Sequence, residues 1–188
     1  MEPIVLLAVV GVAVAAAGAW WVLVYNRLVG LRQHVREAWA DIDVQLKRRH
    51  DLIPPLVETV RGYAAHEREL LDRVVQLRNE AEQTRRVGDL ARHESMLQRG
   101  LGRLFAVAED YPQLKAGEHF LELQRELAVT EDRLAAARRF YNANVRELNT
   151  LREQFPTRLV AGAAKVAPAD YFELDADAER VAPRVALD

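Results

Sequence analysis

Cysteine is absent from the 188-residue chain, and Ser95 is its only serine. The lack of cysteine excludes disulfide scaffolds, thiol redox chemistry, zinc–thiolate sites and a cysteine-linked lipid anchor. Ser95 lacks the flanking glycines of a nucleophile elbow, which leaves little room for serine-nucleophile catalysis. Seven prolines, nine glycines and 7% aromatic residues are few for the turns of an all-β chain, so we expect helices.

An excess of either charge is also missing. The 26 lysines and arginines nearly balance the 28 acidic residues, and the formal net charge is -2. Such a chain has no bulk positive field that would hold a polyanion, and we therefore predict no nucleic-acid partner. The length suits one domain with an appendage.

The motifs that hold metals, nucleotides or phosphates are incomplete. His66-Glu67 begins a zinc-protease motif, but Leu70 occupies the position of its second histidine. No histidine has a carboxylate three residues before it, as di-iron helical bundles require. Gly100–Phe105 lacks the third glycine of a dinucleotide loop, and no Gly-Lys-Ser/Thr occurs. We therefore predict a protein that is not an enzyme and has no metal or cofactor.

Charge is absent from the 21 residues Ile4–Val24, which are enough to cross a bilayer as one helix. Eleven of them are Ile, Val or Leu, and together they favour insertion by about 4 kcal/mol. Three aromatic residues at the C-terminal edge are predicted to lie at the membrane interface: Trp20, Trp21 and Tyr25. The alanine-rich positions 15–19 also resemble a signal-peptidase site. We favour a retained anchor, because no Lys or Arg precedes the apolar run and the run continues beyond these positions.

The residues that flank this apolar segment predict its orientation. No Lys or Arg precedes it, whereas Arg27, Arg32 and Arg36 follow it. Because positive flanks favour the cytoplasm, we predict a single-pass protein with its N-terminus outside and its body in the cytoplasm.

Small residues recur every four positions within the apolar segment: Gly11, Ala15 and Ala19. Such a stripe permits close approach of two membrane helices and indicates self-association. In so alanine-rich a segment, the stripe is equally explained by composition.

The rest of the chain has helical periodicity. Apolar residues recur at spacings of three and four from Leu28 to Leu46, with no breaker between them and the apolar segment. We predict that this first helix continues to about Arg49 and that Pro54-Pro55 forces a break. Three further helices are predicted at about Pro55–Gln83, Leu90–Glu109 and Glu118–Phe155.

Short connections between these helices predict an all-α fold in which the transmembrane helix continues into an antiparallel four-helix bundle. The predicted domains are an anchor over residues 1–24, a bundle over 25–155 and a largely irregular tail over 156–188.

Two of the predicted helices carry seams typical of coiled coils. The last helix repeats at intervals of seven: Phe120, Leu127, Leu134, Tyr141, Leu148 and Phe155. The second has a stripe with alternating spacings of four and three: Leu56, Val60, Tyr63, Glu67, Leu70, Val74, Leu77 and Ala81. The polar seam residues Glu67 and Asn144 are interpreted as a satisfied pair that fixes helix register, with a site for a small ligand or ion as the alternative.

Two basic clusters stand out. Lys47-Arg48-Arg49 is expected at the end of the first helix, where the cations either complement the helix dipole or dock a partner or neighbouring subunit. It lies roughly 35 Å from the bilayer surface, too far for lipid. The predicted second helix returns towards the membrane, so Arg85-Arg86 is expected near lipid headgroups, with a solvated loop as the alternative.

Several segments resemble the LemA family. The most specific is Ala38–Pro54, and others are Tyr25–Val29, Leu56–Glu67, Leu104–Ala116 and Arg138–Asn142. The resemblance covers roughly residues 25 to 172. Two features depart from it: Pro55 stands where the family usually has Asn, and the tail is richer in Ala and Pro.

The resemblance implies a helical bundle anchored in the bacterial inner membrane, without an established biochemical activity. The family includes a protein of magnetosome membrane biogenesis, and some members are associated with a membrane metalloprotease and with envelope stress. Our first hypothesis is a non-enzymatic scaffold that self-assembles in the lipid bilayer as a homo-oligomer and organises or shapes it. The alternative is an adaptor that presents the bundle to a membrane protease or an envelope-stress sensor.

Overall fold

The computed structural model describes residues 3–174. Within that range the chain forms six helices: α1 (Pro3–Arg61), α2 (Arg68–Gln83), α3 (Val87–Glu109), α4 (Pro112–Lys115), α5 (Glu118–Glu153) and α6 (Thr157–Ala163). No strand occurs among these residues, and the prediction of an all-α chain is confirmed. Helices α3 and α5 begin and end close to their predicted positions.

Helix α1 is longer than predicted and contains the proline pair that was expected to end it. Pro54 has no N–H to donate to the carbonyl oxygen of His50, four residues earlier. The Nε of Arg78 on α2 donates to that oxygen instead, at 3.3 Å. Thr59 Oγ1 also donates to the carbonyl oxygen of Pro55 at 2.7 Å. The predicted helix over 55–83 is therefore wrong, because its first turns belong to α1.

The described residues of 38–142 and 170–174 form one compact unit. Five helical segments line its hydrophobic core: the last part of α1, α2, α3, α4 and the first part of α5. The buried members of this core are Ile53, Leu56, Val57, Val60, Ala64, Leu71, Val74, Leu77, Leu97, Leu101, Leu104, Ala108, Leu114, Phe120, Leu123 and Leu127.

The seam predicted on α5 is largely confirmed. Phe120, Leu127, Leu134, Tyr141 and Leu148 are all buried. Phe155 is 75% exposed, since α5 ends two residues before it. The stripe predicted for the second helix fails where the chain turns: Tyr63 is exposed, and Glu67 lies half-buried at the N-cap of α2.

Residues 3–37 and 143–169 form the second compact unit. Its core joins α1, the end of α5, α6 and the segment after α6, and its buried members are Val24, Leu28, Leu31, Leu148, Leu151, Val160, Ala161 and Val166. Helix α6 lies where an irregular tail was expected, whereas residues 164–174 form no helix. The predicted irregular structure beyond residue 174 lies outside the described residues.

The segment after α6 is held on α5 by two asparagine side chains. Asn149 donates to the carbonyl oxygen of Ala169 at 2.9 Å and accepts from its N–H at 3.0 Å. Asn142 makes the same pair of bonds with Phe172, at 3.0 and 2.9 Å. Each side-chain amide thus satisfies both backbone groups of a residue that has no helical partner.

Candidate functional site

The apolar N-terminal part of α1 is the first candidate site. Among residues 3–174, α1 is the one helix that is long and apolar enough to cross a membrane, judged by length and composition alone. Every residue from Ile4 to Leu23 is exposed. An apolar surface this continuous marks a membrane or protein contact, since water-facing surfaces rarely carry one.

The predicted small-residue stripe lies within this surface. Gly11, Ala15 and Ala19 share one face of α1, because residues four apart are neighbours on a helix. A Cβ added at Gly11 would meet no atom within 4 Å. The predicted interface residues Trp20, Trp21 and Tyr25 are 37%, 41% and 45% exposed at the end of the same surface.

A buried cluster of charged residues is the second candidate site. Arg49 is 1% exposed, and its Nη1 lies 3.2 Å from Glu131 Oε2 and 3.6 Å from Glu94 Oε2. The other carboxylate oxygen of Glu94 lies 2.7 Å from His50 Nε2. The cluster therefore ties α1 to α3 and α5 through side chains that would be costly to bury alone.

The space beside this cluster is small. Its lining includes Arg49, Gln98, Phe105 and Glu131, and its volume is about 20 Å³. That volume holds one water molecule and no larger ligand. The Nε and Nη2 atoms of Arg49 and the Oε1 atom of Gln98 make no hydrogen bond to any described residue. Arg49 and Glu94 are 1% and 0% exposed, so the cluster is part of the buried core of this unit.

The burial of Arg49 corrects the prediction for Lys47-Arg48-Arg49. The cluster was expected to close the first helix, but α1 continues to Arg61, so complementing the helix dipole at Arg49 is excluded. Arg49 is also inaccessible to a partner or neighbouring subunit. Lys47 and Arg48 are exposed, and Arg48 lies 3.9 Å from Glu126. Docking through these two residues stays a prediction.

Arg85 and Arg86 are exposed, but their predicted position at lipid headgroups conflicts with that of Lys47. Arg85 and Lys47 line the same surface depression, beside Asp43 and His50 of α1. Because the two side chains are neighbours, Arg85 cannot lie at lipid headgroups while Lys47 lies about 35 Å from the bilayer. The reason is that α2 has 16 residues and is about 24 Å long, so it retraces only the last turns of α1. The Arg86 side chain is 90% exposed and lies 3.9 Å from Asp89.

An aromatic cluster, which the sequence analysis did not identify, lies near the end of the described chain. Trp39 packs edge-on against Tyr141 at 5.3 Å and against Phe172 at 5.6 Å between ring centroids. The Tyr141 hydroxyl donates to the carbonyl oxygen of Asp170 at 2.8 Å. Burial, and then the negative charge of Asp170, raise the pKa of Tyr141. The sequence did carry one signal that this segment packs on α5. Asn142 and Asn149 are seven residues apart, which puts both side chains on one face of that helix.

Residues 3–174 contain no group of three or more His, Asp or Glu side chains placed to hold a metal ion. The predicted absence of enzymatic activity and of a cofactor stays a prediction.

These features define an all-α protein with membrane-anchored character: it has one exposed apolar helical segment and a helical core that buries a cluster of charged side chains. The model of the LemA family matches residues 38–187, and the chain belongs to that family.

Among the relatives of this chain, Magnetosome protein MamQ 2 and Magnetosome protein MamQ 1 of Paramagnetospirillum magneticum are each 25% identical to it over 175 residues. Each alignment covers 79% of this chain and 64% of the relative. Protein LemA of Metamycoplasma hominis is 27% identical over 141 residues, which cover 72% of this chain and 63% of that protein. The chain therefore spans less than two thirds of the length of these relatives.

Proposed function

We propose that this chain is a non-enzymatic, membrane-anchored scaffold that self-assembles at the bacterial inner membrane and organises or shapes it. The observation that carries the proposal is the exposure of every residue from 4 to 23 of α1. In the proposed topology the N-terminus lies outside and the helical body lies in the cytoplasm, because Arg27, Arg32 and Arg36 all follow the apolar segment.

Self-association is supported by the small-residue face of that segment. Lipid tails are as apolar as leucine, so helices associate in a membrane through close packing rather than through the hydrophobic effect. Gly11, Ala15 and Ala19 would let two backbones approach, and no other described residue occupies the space beside Gly11. The relatives named as magnetosome proteins are consistent with a membrane-organising role.

A non-enzymatic role is supported by the closed core. Its buried Arg49 lies beside Glu94 and Glu131, and the adjacent cavity of about 20 Å³ is too small for a substrate. Together these features favour a role in making contacts over a role in catalysis.

The test measures the mass of the full-length protein in mild detergent by light scattering. Ala15→Leu with Ala19→Leu fills the proposed contact face. Ala13→Leu with Ala17→Leu is the matched control, since it adds the same atoms at the same spacing on the opposite face of the helix. We expect an oligomer for the parent and the control and a smaller species for the first variant.

Two results would contradict the proposal. A monomeric parent favours instead an adaptor that presents the helical body to a membrane protease or an envelope-stress sensor. Equal oligomer sizes for parent, variant and control would show that this face does not direct assembly.

A further inference from the structure

The corner between α5 and α6, defined as residues 152–166, combines exposed apolar side chains with positive charge. Phe155 and Leu159 are 75% and 53% exposed. Arg152, Arg158 and Lys165 line one groove of the same corner, together with Glu153, which lies 3.5 Å from Arg152. Among residues 3–174, no carboxylate lies within ion-pair distance of Arg158 or Lys165. An apolar edge beside unneutralised cations is the pattern of a surface that binds an anionic membrane.

The core of the same unit places this corner next to the end of the apolar segment. Val24 is the last residue of that segment, and it shares one buried cluster with Val160 and Ala161 of α6. The part of α1 that contributes to this cluster, residues 24–31, is only about 10 Å long. Polar headgroups extend about 5–8 Å beyond the hydrocarbon on each side of a bilayer. Helix α6 therefore lies at headgroup depth if the segment spans the membrane.

The backbone at Lys165 has the left-handed conformation that ends α6. Helix α6 ends with Lys165 N–H bonded to the Gly162 carbonyl oxygen at 3.1 Å and Val166 N–H bonded to the Ala161 carbonyl oxygen at 3.0 Å. In this type of helix end the residue at position 165 is left-handed and is usually glycine. Lys165 has φ 50, a conformation in which a side chain is disfavoured. Glycine adopts this conformation without strain, so the cation at position 165 can be removed without disturbing the helix end.

We propose that the α5–α6 corner binds the surface of the anionic membrane in which the chain is anchored. Phe155 and Leu159 enter the boundary between headgroups and acyl chains, and Arg158 and Lys165 contact lipid phosphates. This contact would fix the orientation of α6 at the point where α1 leaves the bilayer. The inference requires the membrane anchor but not self-association.

The absence of cysteine makes the contact measurable, because a nitroxide label attaches only at an introduced cysteine. The full-length protein is labelled at Leu159→Cys and reconstituted with one copy in each nanodisc. Val22→Cys, in the apolar segment, serves as the depth reference. Accessibility to oxygen and to a water-soluble nickel complex then reports depth, in phosphatidylcholine alone and in its mixture with phosphatidylglycerol. We expect the label at position 159 to lie in the membrane and to do so more fully in the anionic mixture.

Charge variants separate a lipid contact from a structural role. Lys165→Gly removes the cation and also relieves the backbone strain, so it keeps or improves thermal stability. Each of Lys165→Gly and Arg158→Gln should lower the ratio of membrane-inserted to exposed label in the anionic mixture about fivefold. Arg133→Gln, which removes an exposed arginine from α5, is the matched control and should leave the ratio unchanged.

Each contrary result has its own meaning. A label at position 22 in the membrane with a label at position 159 in water, in both lipids, overturns the proposal and leaves the anchor intact. Water exposure at both positions removes the anchor and the proposal with it. Membrane insertion at position 159 that does not respond to Lys165→Gly or Arg158→Gln would overturn the assignment of phosphate contacts. Because each nanodisc holds one copy, none of these results depends on self-assembly.

Discussion

The two ends of α1 reverse the usual relation between polarity and burial. Residues 4–23 expose their Ile, Val and Leu side chains, whereas residues 38–61 bury Arg49 and His50. The first arrangement is favourable only where the surroundings are not water. The second is favourable only where partners replace the lost hydration, and Glu94 and Glu131 provide them. One continuous helix thus contains a segment stabilised by its environment and a segment stabilised by its neighbours.

Removing the buried cation Arg49 should give the largest effect, because the buried segment of α1 depends on its charged partners. Arg49→Met leaves Glu94 and Glu131 without their shared partner, because Arg49 lies within 3.6 Å of both carboxylates. We expect a loss of about 3–5 kcal/mol in the free energy of unfolding. The measurement is denaturant unfolding of the full-length protein in mild detergent, followed by circular dichroism.

The control for this variant is the neighbouring residue. Arg48 is exposed and lies 3.9 Å from Glu126, so Arg48→Met should cost no more than about 1 kcal/mol. Similar losses for the two variants would mean that the ion pairs around Arg49 do not stabilise the core.

Adding a charge to the exposed segment tests the first half of the comparison. Val12→Arg places a guanidinium at the middle of the apolar run, at a cost of about 2.5–3.5 kcal/mol. That cost removes most of the roughly 4 kcal/mol by which the segment favours insertion. We expect a large fraction of the variant to leave the membrane on alkaline carbonate extraction. Tyr25→Arg, at the end of the run, should stay in the pellet; equal extraction of both variants would contradict insertion of this segment.

Some of this architecture could be predicted from the sequence because the signals are local. Seven-residue repeats located α5 and its buried face, and the uncharged run located the exposed N-terminal segment of α1. The burial of Arg49 had no local signal, since its partner Glu94 is 45 positions away in the sequence. A run of three cations usually lies in solvent, which is why the cluster was interpreted as a docking surface.

The features that the sequence did not predict share one cause. In each, a backbone group that lacks a local partner is hydrogen-bonded by a side chain distant in the sequence. Pro54 leaves a carbonyl unpaired within α1, and Arg78 from α2 supplies the missing donor. Residues 164–174 have no periodicity, and Asn142 and Asn149 supply backbone partners for Phe172 and Ala169. The candidate membrane contact at the α5–α6 corner depends on Lys165, whose backbone conformation is not visible in the sequence.

A conventional apolar contact gives the reference against which the charged cluster is compared. Leu134 on α5 is 1% exposed, and Leu134→Ala should cost about 2–5 kcal/mol through lost burial and the cavity that remains. Arg133→Ala, at the exposed neighbouring position, should change stability by no more than about 0.5 kcal/mol. Thermal unfolding in the same detergent measures both. Small and equal changes in thermal stability for the two variants would show that the seam on α5 contributes little to the stability of the core.

The smallest effect is expected at Tyr141, which is a buried polar group without a full charge. Its pKa is raised by burial and by Asp170, so the folded chain keeps the phenolic proton at a pH where the unfolded chain has begun to lose it. The unfolded state then binds fewer protons, and stability must fall as the pH rises. This contribution is complete below a pH of about 10, the pKa of an unperturbed tyrosine, and is lost as the pH rises through the raised pKa of the folded state.

Tyr141→Phe should remove this alkaline loss while costing about 0.5–1.5 kcal/mol at neutral pH, because the hydrogen bond to the carbonyl oxygen of Asp170 is gone. The measurement is the free energy of unfolding between pH about 7 and about 11 for the parent, Tyr141→Phe and Tyr171→Phe, whose side chain is 38% exposed in the parent. The parent and Tyr171→Phe should lose stability in parallel above pH about 10, and Tyr141→Phe should lose less. If the free energy of unfolding falls with the same slope for all three proteins, the neutral Tyr141 hydroxyl does not hold residues 164–174 on α5. The charged cluster around Arg49 would then be the one tested case in which a buried polar group is stabilised by its partner.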